Sequence, residues 1–183
     1  AKYIDGAHPG MLLNTVTNAL YDGVVGVKFV PAAYRRTFLK WGPRQGDGGG
    51  FGGEFTADEV AKMRAERKIV EFEGRLYEPL ADGGVNPKRC NLFADTRLHY
   101  GLVLEVDGDY NSVLVSVTST QIKKSKQLMS ALTAVRITLP DGRKIQPATF
   151  ASVVRVVVVP ESNDMGNWFG LKFAVEGKVE RKD

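Results

Sequence analysis

Short runs of β-branched and aromatic residues, each closed by turn-forming residues, constrain this chain most. The runs VVGVKFVP (Val24–Pro31) and FASVVRVVVVP (Phe150–Pro160) both end at a proline, as strands do. Asp107–Asp109 and Pro140–Gly142 separate further strand-like runs, a pattern typical of hairpins. Long helices do not alternate with these strands. The pattern therefore predicts a mainly antiparallel sheet and not a parallel α/β fold.

Two segments carry helix signals. Thr56 with Glu59 matches a capping box, and so does Thr118 with Gln121, which precedes an apolar helical stripe. Roughly seven strands and two helices predict a mainly β, antiparallel OB-like barrel or sandwich with two helices. A chain of 183 residues without a visible linker is expected to form one domain, 1–183.

Composition excludes several classes of site. One cysteine cannot form an intramolecular disulfide, which fits a reducing compartment, and two histidines show no metal-ligand spacing. The longest apolar run, Val156–Val159, is too short to cross a membrane, and the first ten residues do not resemble a secretion signal. We therefore expect no metal, no cofactor and no membrane association, although the composition alone leaves open a metal site made only of carboxylates.

The stretch KWGPRQGDGGGFGGEF is rich in glycine, and residues 42–55 are expected to form a mobile loop. It lacks the Lys-Ser or Lys-Thr of a phosphate-binding loop. Its match to the dinucleotide-binding pattern is nearly automatic in so glycine-rich a run. No nucleophile motif and no clustered acid–base pair appears elsewhere. The expectation is a protein that is not an enzyme and has no catalytic residues.

The charges are segregated along the sequence. Val24–Gly46 contains five basic residues and no acidic ones, and Asn111–Pro140 contains four and none, whereas Asp47–Asp82 contains nine acidic residues. Such segregation favours a basic face for a polyanion, although alternating solvated strand faces would give the same pattern.

Aromatic and basic residues alternate in YRRTFLKWGPR, the combination that single-stranded nucleic acid requires. On a strand, Tyr34, Arg36 and Lys40 would share one face, and Arg35 and Trp41 the other. Whether the aromatic rings stack on bases or fill the core stays open at this stage. The full set of candidate nucleic-acid-binding residues is Tyr34, Arg35, Arg36, Lys40, Trp41, Arg44, Phe51, Lys123, Lys124, Lys126, Trp168 and Lys172.

Four blocks together resemble a family of early or replication-linked bacteriophage proteins described as single-stranded DNA-binding: NTVTNALYD, VVGVKFVPAAYRRTFLKWGPR with GGGFGGEF, STQIKKSKQLMSAL and NDMGNWFG. The resemblance implies an OB-like core that coats single-stranded DNA in phage replication or recombination, in the host cell cytoplasm. It also implies phage replication proteins as partners, although Val175–Asp183 differs from the acidic tail that often recruits them. Residues carried over by the resemblance are Tyr34, Arg35, Arg36, Trp41, Lys123, Lys124, Lys126 and Trp168.

Two alternatives remain. A phage structural or host-factor-binding protein without nucleic-acid activity would suit the β-rich body and the glycine-rich loop equally well. A nuclease or nucleotide-processing accessory would use a few of the carboxylates. The sequence leaves open whether the chain forms a homo-oligomer.

Overall fold

The computed structural model describes residues 4–43, 49–164 and 166–179. Strands make up 48% of the described residues and helices 16%, and the strand pairs are antiparallel, so the mainly β, antiparallel class with two helices is confirmed. The OB-like barrel stays a prediction. In chain order the elements are β1 (Leu12–Leu13), β2 (Leu20–Tyr21), β3 (Val27–Trp41), β4 (Phe51–Phe55), α1 (Ala57–Ala65), β5 (Val70–Phe72), β6 (Arg75–Tyr77), β7 (Leu92–Leu104), β8 (Tyr110–Thr118), α2 (Ile122–Ala134), β9 (Ile137–Thr138), β10 (Lys144–Ile145), β11 (Ser152–Asn163) and β12 (Gly166–Lys178).

The chain divides into two compact units. Unit 1 comprises Ala1–Tyr34, His99–Val115 and Thr120–Asp183, and unit 2 comprises Arg35–Leu98 and Ser116–Ser119. Strands β3, β7 and β8 each contribute one part to each unit. The expectation of a single domain over 1–183 stays a prediction.

Unit 1 is built on strands in the order β12–β11–β3–β7, with β8 on β7. Alternate residues of β11 point inward, so Val154 and Val156 meet Leu128 and Leu132 of α2 in one core around Phe29. Phe29 has no exposed surface. Truncating a ring buried in this way to alanine costs about 3–5 kcal/mol.

Helix α2 begins later than the sequence predicts, and the capping role of Thr118 is wrong. A short 3₁₀ turn covers Ser119–Gln121, and Gln121 occupies the N-cap position without a side-chain capping bond. Its amide is used elsewhere: the Oε1 atom accepts from the backbone N–H of Leu171 at 2.9 Å, and Nε2 donates to Glu161 at 2.9 Å. Gln121 thereby ties the start of α2 to β11 and β12.

Unit 2 contains β4, β5, β6, α1 and the adjoining parts of β3 and β7, around a core of Phe38, Val60, Ile69 and Phe93. The predicted start of α1 is confirmed. Thr56 accepts from the backbone N–H of the glutamate three residues on, and the glutamate side chain accepts in return from Thr56. This reciprocal capping contributes about 1 kcal/mol to the helix.

The glycine-rich segment is not a loop throughout, because its last five residues form strand β4. This strand pairs with the end of β3, and the register shifts between Lys40 and Trp41 so that Gly52 is the extra residue. A Cβ atom at Gly52 would lie 3.0 Å from the Lys40 side chain, and Gly53 has a φ angle of +122°. Glycine is therefore required here by a β-bulge and not by flexibility. The mobility predicted for residues 42–55 stays a prediction.

Candidate functional site

The segment YRRTFLKWGPR, the first basic block, lies on β3 as far as Trp41. Buried and exposed residues do not alternate along it, as they would on a strand with one buried face. Tyr34, Arg35 and Arg36 are all exposed, whereas Thr37 and Phe38 are both buried. The Thr37 hydroxyl donates to a carbonyl of β4 at 2.9 Å, so the strand is covered on both sides at this point. The burial of Thr37 and Phe38, which are neighbours in sequence, therefore does not divide this segment into one buried face and one exposed face.

The block's cations on β3 are paired with carboxylates from distant parts of unit 2. Exposed ion pairs of this kind contribute only about 0–1 kcal/mol to stability, but they neutralise the charge locally. The hydrogen bond from Lys40 holds the pKa of Glu78 below its usual range. Arg44 lies outside the described residues. The pairs, with their N–O distances, are Arg35 with Glu54 (2.5 Å), Arg36 with Asp95 (3.0 Å) and Lys40 with Glu78 (2.6 Å).

Trp41 of this block and Phe51 of β4 place two aromatic rings on the surface of unit 2. Trp41 and Phe51 are partners in the β3–β4 pair, and their ring centroids lie 5.8 Å apart in an edge-to-face arrangement. Trp41 is 41% exposed and Phe51 is 61% exposed. The question left open by the sequence is therefore answered for Trp41: its ring is not in the core.

Tyr34 belongs to unit 1, where its ring lies 5.1 Å from that of His99. His99 is 1% exposed, and its Nε2 atom lies 2.8 Å from the hydroxyl of Ser125 on α2. Burial lowers the pKa of His99 to about 4. Because Ser125 is also fully buried, this pair is closed to a substrate and serves to hold α2 against the sheet.

The second basic cluster lies on α2, and its lysines differ in their surroundings. Lys123 and Lys126 are exposed, and neither has an ion pair with any described residue. Lys124 is half-buried and reaches Glu161 at 3.0 Å. Lys172, on β12, is exposed and is likewise without an ion pair in the described part of the chain.

Glu161 links α2 to the hairpin of β11 and β12. Its carboxylate accepts from Lys124, from the indole N–H of Trp168 at 2.9 Å and from Gln121. The bond from Lys124 is the main cause that lowers the pKa of Glu161. Trp168 lies directly opposite Glu161 in the hairpin and is half-buried, so its edge is fixed while part of its surface stays open.

A cleft of about 380 Å³ opens beside Trp168. Phe169, which is 53% exposed, also lines it. The other lining residues come from both strands of the hairpin and are Pro160, Glu161, Ser162 and Asn167.

Sequence reasoning missed the acidic residues that pair with the candidate cations. The acidic partners Glu54, Glu78, Asp95 and Glu161 lie far from their cations along the chain, so no local pattern indicates them.

In the parts of the chain that the structure describes, no group of three or more His, Cys, Asp or Glu side chains could hold a metal ion. No described helix has the length and apolar character needed to cross a membrane.

The comparison with protein families gives one finding. The model of the family described as Pam3 phage gp34-like protein matches residues 1–183. Neither a curated protein nor a solved structure matches the chain. The family description names a phage and no binding activity. Because the match covers the whole chain, this protein belongs to the Pam3 phage gp34-like family and is a bacteriophage protein.

Proposed function

We propose that the protein binds single-stranded DNA without sequence preference, as an accessory of phage replication or recombination in the host cell cytoplasm. It acts without catalysis and without a cofactor. Other phage replication proteins, and further copies of the same chain along the strand, are its expected partners.

The observation that carries this proposal is the exposed pair of Trp41 and Phe51. Large aromatic rings are usually withdrawn from solvent, whereas here two of them stand open side by side on adjacent strands. Nucleobases stack on such rings irrespective of sequence, at about 1–3 kcal/mol for each base. Arg35 and Arg36 precede Trp41 on the same strand and supply cations that phosphates can recruit from weak surface ion pairs.

Titration of a fluorescently labelled oligo-dT, followed by anisotropy, tests the proposal. The protein should bind the single strand more tightly than a duplex of the same length. Trp41→Ala and Phe51→Ala should each weaken binding by roughly 5- to 150-fold, the equivalent of one lost stacking contact.

Phe150→Ala provides the matched control. Phe150 is 62% exposed, almost the same as Phe51, but it lies in a short turn of unit 1 outside every candidate site. Its replacement should leave affinity unchanged. Absence of binding by the unmodified protein at low salt would overturn the proposal, and equal losses from Phe51→Ala and Phe150→Ala would remove its basis.

A second candidate function is assembly, in which the protein is a structural component of the phage or binds a host factor. It is favoured by exposed valines in unit 1: Val16, Val24 and Val25 are 88%, 82% and 66% exposed. Exposed apolar side chains that cluster on a surface mark protein–protein interfaces more often than nucleic-acid sites. Sedimentation of the protein alone separates the candidates, because large regular oligomers formed without DNA would favour assembly.

A further inference from the structure

We propose that unit 1 holds a base-docking site of its own: a nucleobase of the single strand enters the cleft beside Trp168 and stacks on the indole. Glu161 positions that indole, and Lys123, Lys126 and Lys172 contact the phosphates. This inference rests on the proposed function. It adds a base-binding cleft and a residue, Glu161, that positions the indole. The basic runs of the sequence indicate neither of them.

The cleft has the shape and lining that a base requires. It measures about 380 Å³, it is open to solvent, and an aromatic ring stands on its wall together with the exposed Phe169. Ser162 and Asn167 line it as well, and both are exposed. Hydroxyl and amide groups can exchange hydrogen bonds with the polar edge of any base. This combination favours a base over a purely apolar ligand.

Trp168 is held in place before any ligand arrives. Its indole N–H donates to Glu161 at 2.9 Å, and the same carboxylate is fixed by Lys124 at 3.0 Å and Gln121 at 2.9 Å. A ring fixed at one edge loses little conformational entropy when a base stacks on its face. Gly170, two residues along the strand, leaves the space that this arrangement needs, because a Cβ atom there would lie 2.6 Å from the Glu161 side chain.

The three lysines of the proposed site, Lys123, Lys126 and Lys172, are available to phosphates. Lys123 and Lys126 are one helical turn apart on the solvent side of α2, opposite the buried Ser125 and Leu128. Lys172 shares the strand face of Trp168, since residues 168, 170 and 172 alternate to the same side of β12. None of the three lysines has an acidic partner among the described residues. These lysines complement the negative charge of single-stranded DNA, and the aromatic lining of the cleft complements its bases. Nucleic acid is therefore the proposed occupant.

The experiment uses the two tryptophans separately. The chain contains only Trp41 and Trp168, so Trp41→Phe leaves Trp168 as the sole indole emitter. Oligo-dT should quench Trp168 emission in this protein to saturation. Inorganic polyphosphate, which carries the charge without bases, should compete with the oligo-dT and leave the emission unquenched when added alone.

The role of Glu161 is tested in the same background with Glu161→Gln. Removing the charge that holds the indole should lower the quenching amplitude at saturating oligo-dT. Glu176→Gln is the matched control, because Glu176 forms a similar pair with Arg155 at 2.9 Å on the same two strands. Thermal melting of each variant confirms folding. An amplitude unchanged by Glu161→Gln would overturn the positioning role.

The outcomes for the site and for the proposed function can be distinguished. Oligo-dT that binds by anisotropy without quenching Trp168 would overturn the base-docking site and leave DNA binding standing. Quenching of Trp168 by polyphosphate as strong as by oligo-dT would also overturn it, since no base would then be needed. Absence of any binding would overturn both.

Discussion

The two basic regions of this protein look alike in sequence but differ in how much of their charge is free. On β3 of unit 2, Arg35, Arg36 and Lys40 each face a carboxylate. In unit 1, Lys123 and Lys126 face none among the described residues. A run of basic residues therefore predicts where cations are placed, but their availability depends on acidic residues that only the fold brings near.

The aromatic rings of the two regions differ in how firmly they are held. Trp41 and Phe51 are exposed and contact each other across the strand pair, whereas the indole N–H of Trp168 donates a hydrogen bond to Glu161. Unit 2 thus combines exposed rings with cations that are paired with carboxylates. Unit 1 combines a hydrogen-bonded ring with lysines that pair with no acidic residue that the structure describes. We expect unit 1 to dominate the electrostatic part of DNA binding, and each unit to contribute stacking.

The largest effect should come from removing the free cations of unit 1. Each phosphate contact of a single strand releases about 0.7 counterion, so the triple change K123Q, K126Q and K172Q should weaken oligo-dT binding about 100-fold at 0.1 M salt. Anisotropy titration measures it. The triple change R35Q, R36Q and K40Q removes the same charge from unit 2 and is the comparison. It should weaken binding less, because phosphates must first displace the carboxylates that pair with these three cations.

A loss in the unit 2 triple variant equal to that in unit 1 would mean that the ion pairs do not withhold charge. It would remove the distinction between the two regions.

Acid should destabilise unit 1 through His99, which belongs to that unit and is buried there. The folded pKa of His99 is about 4, below the ordinary 6.5. As the pH falls from 6.5 towards 4, the unfolded chain takes up a proton that the folded chain excludes. Stability should therefore fall by about 2 kcal/mol between pH 7 and pH 5. Urea unfolding at the two pH values measures it.

His99→Gln is the matched variant for this pH dependence. It retains a group that can hydrogen-bond Ser125 but removes the titrating ring. Its stability should change much less between pH 7 and pH 5. A pH dependence as steep as that of the unmodified protein would show that His99 is not its source.

A smaller effect should follow from removing an acidic partner in unit 2. Glu54→Gln removes the carboxylate that Arg35 contacts, so affinity for oligo-dT should rise about fivefold at 0.1 M salt, as for one added phosphate contact. Glu71→Gln is the control, because Glu71 pairs with Arg64 outside the candidate site. Equal gains from both changes would indicate a general charge effect and not the release of Arg35.

Local patterns predicted those parts of the fold that depend on neighbours in sequence. The Thr56 capping box starts α1 as expected, and the turns at 107–109 and 140–142 lie between paired strands. Thr118 failed as a cap because Gln121 is engaged by Glu161 and Leu171, contacts 40 and 50 residues away. Long-range partners of this kind leave no trace in a local motif.

The candidate site was predictable to a similar extent. Sequence identified the aromatic and basic residues but not which of them are exposed, paired or anchored. The glycines around Phe51 predict a loop, because glycine is common both in loops and at β-bulges. The structure has a β-bulge at this point. The carboxylate of Glu161 had no signal at all, since its importance comes from three donors that converge only in the folded chain.

The most direct measurement is the salt dependence of oligo-dT binding by the unmodified protein. Three lysines without an acidic partner in the described part of the chain, at about 0.7 counterion each, predict that log K falls with log salt with a slope of about −2 or steeper. A slope near zero, or no binding at the lowest salt, would contradict the account and leave assembly as the function to pursue.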